Sequence, residues 1–149
     1  MTVPVYEATL AVVMERLGMS PALDVQTLKR VHLTPVVPES APALYVVGGS
    51  DAPTEAEDRG CVQRRRAEFD AVLYLRDNDP VTEAADLKQA VLARLDPNDE
   101  MLPAYPDGVV MRCGAIRPDT EIADGDATRI VMEFSFVYNA APWSLQAAG

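Results

Sequence analysis

The feature that most constrains the fold of this chain is a long stretch, from residue 62 to residue 76, in which apolar and polar side chains alternate. One set of alternate positions is mainly apolar and comprises Arg65, Ala67, Phe69, Ala71, Leu73 and Leu75. The other set is mainly polar and comprises Arg64, Arg66, Glu68, Asp70, Val72 and Tyr74. Because a repeat of two residues places the two sets on opposite faces of a strand, the pattern predicts a long β-strand with one buried face and one solvent-facing face.

Five other segments have the periodicity of helices or strands. Apolar residues spaced by three and four predict helices over residues 4–18 and Pro80–Leu95. Apolar or alternating runs predict strands over residues 43–48, 109–116 and 127–139. The element order is therefore α-β-β-α-β-β. It predicts an α+β fold in a single domain, with one sheet of about four mostly antiparallel strands and two helices on one face of that sheet.

The segments that connect these elements are rich in proline, glycine and acidic residues. Residues 19–41 contain several prolines and no clean period, so we expect a short helical turn near Leu23–Arg30 and then an extended crossing segment. Long polar connections are often mobile or functional. We expect the mobile parts to be the loops 49–60 and 96–108 and the C-terminal tail 140–149.

Composition excludes two classes of partner. The chain has 23 acidic and 13 basic residues and a formal net charge of −10, which argues against binding nucleic acid over a broad surface. No apolar run approaches the roughly 18–20 residues that span a bilayer, so no membrane association is expected. The N-terminus lacks the basic start of a signal peptide, which indicates a cytoplasmic chain, and Cys61 and Cys113 are then expected to be reduced thiols.

A search for catalytic, cofactor or metal sites finds none. The single histidine, His32, has no nucleophile motif near it, and one histidine with two cysteines supplies too few ligands for a transition metal. Two acidic segments, Asp124-Gly125-Asp126 and the loop 49–60 (the acidic loop), do not match a calcium-binding loop. The sequence Gly48-Gly49-Ser50 lacks the lysine of a phosphate-binding loop. We therefore expect no enzymatic activity, no cofactor and no metal.

The most unusual charge feature is the triplet Arg64-Arg65-Arg66 in a chain of net charge −10. Guanidinium groups bind carboxylates through paired hydrogen bonds, and two interpretations follow. In the first, Arg64 and Arg66 bind the acidic loop of a neighbouring copy, head to tail. The acidic residues of that loop are Asp51, Glu55, Glu57 and Asp58. In the second, the arginines pair within the chain with Glu68, Asp70 or Glu133 across the sheet.

The order of these elements resembles that of a known protein family over nearly the whole chain. An amphipathic helix precedes a proline-rich crossing and a short strand at Leu44-Tyr45-Val46-Val47, and an acidic loop follows. The arginine-led strand, a helix and a hairpin that closes on the aromatic strand Ile130–Tyr138 complete the order. In this order the chain resembles the tail terminator proteins of long-tailed bacteriophages.

The resemblance implies a homo-hexameric ring that caps the tail tube, stops its polymerisation and presents a surface to the head-completion or neck proteins. It implies a virion protein of the tail or neck that is assembled in the host cytoplasm and has no enzymatic activity. Its partners would be other copies of itself, the tail tube protein and the head-completion or neck proteins. In such a ring the loops and the tail that carries Trp143 would order against neighbours. The alternative is a small-ligand-binding or regulatory domain, because a four-stranded sheet with two helices on one face also forms ligand sensors.

Overall fold

The structure, a computed structural model, describes residues 3–32, 42–54, 62–76, 80–119, 127–141 and 144–147. In chain order these residues form α1 (Val5–Leu17), β1 (Thr27–Val31), β2 (Ala43–Pro53), β3 (Gln63–Arg76), α2 (Pro80–Leu95), β4 (Val110–Asp119) and β5 (Ala127–Ala140). The predicted helices and the predicted strands β3 and β5 are confirmed to within three residues at each end.

The five strands form one mixed sheet in the order β1-β2-β3-β5-β4. Its centre is the long antiparallel pair of β3 and β5, which stays in register from Gln63 opposite Ala140 to Arg76 opposite Ala127. β2 and β4 flank this pair, each antiparallel to its neighbour. β1 lies at one edge, parallel to β2, with Thr27 opposite Ala43 and Val31 opposite Val47.

The prediction of four mostly antiparallel strands was wrong in its count, because it missed β1. A short helical turn was expected at Leu23–Arg30, but residues Thr27–Val31 are extended. Lys29 and Arg30 are exposed, so the segment shows no alternation that marks a strand. Its conformation is set by pairing with β2, an interaction between residues distant along the chain.

β2 also extends further than predicted, because the strand does not stop at its two glycines. The register between β2 and β3 shifts between Gly48 and Asp51, which is the mark of a β-bulge. The hydroxyl of Tyr6 on α1 bridges this irregularity: it accepts a hydrogen bond from the Gly49 amide at 3.0 Å and donates one to the Glu68 carbonyl at 3.1 Å. A side chain on the first helix thus stands in for a backbone partner, and β2 continues to Pro53.

The main core lies between the sheet and the two helices, which pack on the same sheet face as predicted. Its members from α1 and α2 are Leu10, Val13, Leu17, Leu87, Val91 and Leu95, and those from β3 are Ala67, Phe69, Ala71, Leu73 and Leu75. Phe69 of β3 stacks on Phe134 of β5 with ring centroids 5.3 Å apart. The apolar set of the alternating strand therefore faces the helices.

The opposite face of the sheet, which neither of the two described helices covers and which is here called the helix-free face, is only partly polar. The prediction of a solvent-facing side for Val72 and Tyr74 was wrong, since they are 1% and 3% exposed. They form a second apolar cluster with Ala43, Tyr45 and Val47 of β2. The Tyr45 and Tyr74 rings meet edge to face at 5.6 Å, so cross-strand packing buries positions that alternation alone assigns to solvent.

Two arginines join the C-terminal ends of the helices, and we call this pair the arginine clamp. Arg16, 1% exposed, donates hydrogen bonds to the Pro103 carbonyl at 2.7 Å and the Asp96 carbonyl at 2.8 Å, and a longer one to that of Arg94. Arg94 donates in return to the carbonyls of Arg16, Met19 and Pro21. Each arginine thus binds carbonyls at the end of the other helix, where cations are favoured.

Candidate assembly surfaces

Because successive side chains of β3 alternate between the two faces of the sheet, Arg65 lies on the opposite face from Arg64 and Arg66. Arg65 points to the helix side, where its side chain is 14% exposed. Its Nε donates to Asp51 Oδ1 at 2.9 Å, and its other nitrogens donate to the Asp51 carbonyl at 2.9 Å and to Gln63 Oε1 at 2.8 Å. Tyr138 donates its hydroxyl hydrogen to Asp51 Oδ2 at 2.5 Å. Charge-assisted hydrogen bonds of this kind tie β2, β3 and β5 together.

This network determines what Asp51 contributes to the predicted interface. Its side chain is 15% exposed and has both carboxylate oxygens bound within its own chain. Glu55, Glu57, Asp58 and Trp143, the other residues of that prediction, lie outside the described residues. Asp51 neutralises Arg65 within the described chain. The part of all five residues in a subunit contact stays a prediction.

Arg64 and Arg66 project from the helix-free face and are accessible. The Arg66 side chain is 60% exposed and its Nε lies 3.8 Å from Glu68 Oε1, while Arg64 makes a long hydrogen bond of 3.4 Å to Asn139 Oδ1. Exposed ion pairs of this kind contribute only about 0.2–1 kcal/mol. Intrachain pairing with Glu68 is thus present for Arg66 but weak, and among the described residues neither Arg64 nor Arg66 has a strong carboxylate partner.

Next to Arg66, the helix-free face has an open groove of about 250 Å³. Three carboxylates line it, from Glu68, Asp70 and Glu133. Burial, and then repulsion from Glu133, raise the pKa of the Asp70 carboxyl, while Arg117, which forms an ion pair with Glu133, lowers it. Among the described residues no group of three or more His, Cys, Asp or Glu side chains is arranged to hold a metal ion.

The two edges of the sheet differ in how they are covered. β4 is the last strand on its side, and every residue from Arg112 to Arg117 is exposed, although the opposing β5 residues Phe134 and Met132 are buried. Val110 and Ile116 of β4 are apolar and 45% and 37% exposed. At the other edge, β1 is the last described strand, and it pairs with Ala43–Val47 in the first half of β2.

The remaining residues considered for chemistry do not form a site in the described chain. His32 is exposed at a bend that directly follows β1. Cys113 is a free thiol on the surface. Partial burial raises the pKa of this thiol, which disfavours the reactive thiolate. Cys61 lies outside the described residues. Gly48 and Gly49 belong to the β-bulge and not to a phosphate-binding loop. No described helix is long and apolar enough to cross a membrane.

Sequence reasoning missed the Tyr6 bridge, the Asp51 network and the continuation of β2 to Pro53. A signal for the first existed, because paired glycines inside a strand indicate a bulge or a close approach of another group. A side chain added at Gly49 would place its Cβ 2.9 Å from the Glu68 carbonyl oxygen. The partners of Asp51 had no such signal, since Tyr138 is 87 residues away along the chain.

Comparison with known proteins is informative at the level of the fold. No family model matches the chain, and no curated protein matches it. Among solved structures, the chain is similar to one in the virion of a native gene transfer agent (GTA) particle, with a TM-score of 0.53 and 18% sequence identity. The match covers 92% of this chain and 92% of that chain, so the two share a fold over nearly their whole lengths.

Proposed function

We propose that this protein is a structural component of the virion of a long-tailed bacteriophage. In this proposal it forms a homo-hexameric ring in the tail or neck that caps the tail tube, ends its polymerisation and presents the surface to which head-completion or neck proteins join. The observation that carries the proposal is the fold shared over 92% of both chains with a chain of a GTA virion. The order of elements along the sequence, which resembles that of tail terminators, supports it independently.

The surface charges are suited to assembly from identical copies. A closed ring needs two different and complementary surfaces on each subunit. The accessible Arg64 and Arg66 would supply one of them, and the acidic residues that follow β2 in sequence would supply the other. In this proposal the protein acts by binding other proteins and catalyses no reaction.

Electron microscopy of the purified protein tests the proposal directly. Negative-stain images would be recorded of the protein alone and of the protein mixed with tail tube protein. We expect rings of about six copies, as closed cyclic symmetry produces, and tubes capped at one end whose growth has stopped. Dispersed dimers, with tubes that grow as they do in its absence, would contradict the proposal.

The alternative of a small-ligand domain is less well supported by the geometry. Pockets for small ligands usually enclose about 300–1,000 Å³ and are lined mainly by apolar side chains. The groove on the helix-free face is about 250 Å³, is open, and is lined by Arg66 and three carboxylates. Thermal stabilisation by a metabolite, measured against a panel of metabolites, would favour the alternative.

A further inference from the structure

Two carboxylates face each other across the central strand pair of the sheet. Asp70 of β3 is directly opposite Glu133 of β5, and both side chains line the groove on the helix-free face. Directly opposed side chains of an antiparallel pair have Cβ atoms about 4.5–5.5 Å apart, and like charges at such positions are destabilising. The β3–β5 pair therefore has a repulsive contact near its middle.

The neighbours of Asp70 on this face are less polar than those of an ordinary surface carboxylate. Val47 of β2 lies beside it and is 8% exposed, and Val72, two residues further along β3, is 1% exposed. Burial is the largest of the causes that raise the pKa of the Asp70 carboxyl, and repulsion from Glu133 comes next. The charged form of Asp70 is thus disfavoured both by its surroundings and by the carboxylate opposite.

The other charged groups on this face do not cancel the repulsion. Glu68, on the same strand as Asp70, raises the pKa of Asp70 further. Arg117 of β4 lowers it, but the Arg117 guanidinium is bound to Glu133. The remaining charged side chains of the described residues on this face lie further from Asp70, and they are Lys29, Arg64, Arg66, Arg112 and Arg129.

The ion pair with Arg117 gives the two carboxylates different roles. An opposite charge in contact favours the charged form of a carboxylate, so Glu133 is the member of the pair that is held charged. Asp70 is then the member that takes up a proton as the pH falls. Protonation removes one of the two like charges, and it gives Asp70 a hydroxyl hydrogen that a carboxylate can accept.

The groove keeps the pair in contact with water, which a proton-sensitive group requires. Gly49 of β2 and Gly114 of β4 line the groove, and both are exposed. Neither has a side chain that could cover Asp70 or Glu133. Asp70 is therefore half-buried among apolar neighbours and still able to exchange its proton with the solvent.

We infer that Asp70 and Glu133 form a proton-sensitive pair, which weakens the centre of the sheet at neutral pH and is relieved when Asp70 takes up a proton. The folded pKa of Asp70 lies above the unfolded value of 3.8. The stability that protonation provides is therefore complete below pH 3.8 and is lost as the pH rises through the folded pKa. The pair acts within one subunit, so the inference does not depend on the proposed function.

Thermal unfolding, followed by circular dichroism from about pH 4 to pH 8, tests the pair. Asp70→Asn keeps the shape of the side chain and removes its charge. At neutral pH we expect its Tm to exceed that of the wild type by about 2–4 °C, and the difference should shrink as the pH falls and the wild type becomes protonated. Asp86→Asn removes an exposed acid from α2 and controls for net charge, so it should change Tm by less than about 1 °C.

An NMR titration of the side-chain carboxyl carbons gives a direct readout in the wild-type protein. We expect the Asp70 carboxyl to titrate above the ordinary aspartate value. Glu133→Gln should lower the midpoint of this titration, because the opposing charge is gone. Arg117→Gln should raise it, because Arg117 lowers the pKa of Asp70. Arg112→Gln, a change of the same kind further from Asp70 on β4, should leave the midpoint unchanged.

The outcomes are separate from those of the proposed function. An Asp70 carboxyl that titrates at the ordinary aspartate value would overturn the inference, as would an Asp70→Asn variant that gains no more than Asp86→Asn at neutral pH. A raised midpoint that falls in Glu133→Gln would establish the pair, even if Asp70→Asn folded poorly. A wild-type protein that forms no rings would overturn the proposed function and leave this inference unaffected.

Discussion

Arg16 and Arg94 lie between the C-terminal ends of the two helices, whereas Arg64 and Arg66 project from the helix-free face of β3. The first pair is surrounded by carbonyl oxygens of its own chain, and Arg16 is 1% exposed. Within the described part of the chain the second pair has long or weak partners, and the Arg66 side chain is 60% exposed. The comparison teaches that environment, and not residue type, decides whether an arginine holds the fold or remains available for assembly.

Replacing Arg16 should have the largest effect on stability. Arg16→Met keeps much of the apolar stem but leaves the carbonyls of Pro103 and Asp96 without their donor. We expect the free energy of unfolding to fall by about 3–4 kcal/mol, measured by urea denaturation. Arg30→Met is the control, because Arg30 forms one exposed ion pair with Glu7 and should change stability by less than about 1 kcal/mol. Equal losses in the two variants would remove the distinction between buried and exposed arginines.

Arg65 is an intermediate case, and its partner Asp51 provides the test. Asp51→Asn removes the countercharge of a mostly buried guanidinium and weakens the bond from Tyr138. We expect a loss of about 2 kcal/mol in the free energy of unfolding. Glu68→Gln, beside the exposed Arg66, should cost less than about 0.5 kcal/mol in the same assay. A harmless Asp51→Asn would show that the network does not hold the strands together.

Tyr105 extends the arginine clamp and makes it sensitive to high pH. Arg16 stacks 4.1 Å from the centre of the Tyr105 ring, and the Tyr105 hydroxyl donates to the Leu95 carbonyl. Burial raises the pKa of Tyr105 to about 12, although Arg16 lowers it. Because the folded pKa lies above the unfolded value of 10.0, this stability is complete below pH 10 and is lost as the pH rises towards 12.

Unfolding measurements from pH 9 to pH 12 check this behaviour. The wild type should lose about 1 kcal/mol more over this range than Tyr105→Phe, which has no phenol to ionise. Tyr105→Phe should also be less stable at neutral pH, because it lacks the hydrogen bond to Leu95. Parallel curves for the two proteins would exclude Tyr105 as the titrating group.

The smallest effect on stability is expected at the exposed arginines Arg64 and Arg66. Arg64→Glu combined with Arg66→Glu should change the free energy of unfolding by less than about 0.5 kcal/mol and leave the circular dichroism spectrum unchanged. The same double variant should lose oligomer formation on a sizing column, while Arg64→Lys with Arg66→Lys, which keeps the charge, should retain part of it. An unchanged oligomer in the glutamate variant would mean that these arginines pair only within their own chain.

Much of the fold could be predicted from the sequence where one periodicity persists over a long segment. The helices and the strands β3 and β5 have such a pattern, and the structure has them where the pattern places them. β1 has five residues and no pattern, because its strand conformation depends on pairing with β2. The burial of Val72 and Tyr74 depends in the same way on β2 residues beside them.

The candidate assembly surfaces could likewise be predicted only where they follow from a periodic pattern in the sequence. The alternation along β3 correctly separates Arg65 from Arg64 and Arg66. It does not reveal that Asp51 is held by Arg65 and Tyr138, because a bulge in β2 shifts the register that brings these residues together. The position of β4 at an edge likewise depends on strand order in the sheet, which local sequence does not encode.

The Tyr6 hydroxyl that bridges β2 and β3 links the permitted side chains at two distant positions. A Cβ at position 48 would lie 2.9 Å from that hydroxyl oxygen, so Gly48→Ala requires the tyrosine to shift and strains its hydrogen bonds to Gly49 and Glu68. When Tyr6→Phe has removed that oxygen, Gly48→Ala should cost less in the free energy of unfolding. The costs of the two substitutions should therefore not add. In the divergence of this protein, residues 6 and 48 are expected to vary together, so the first helix restricts which sequences the second strand can accept.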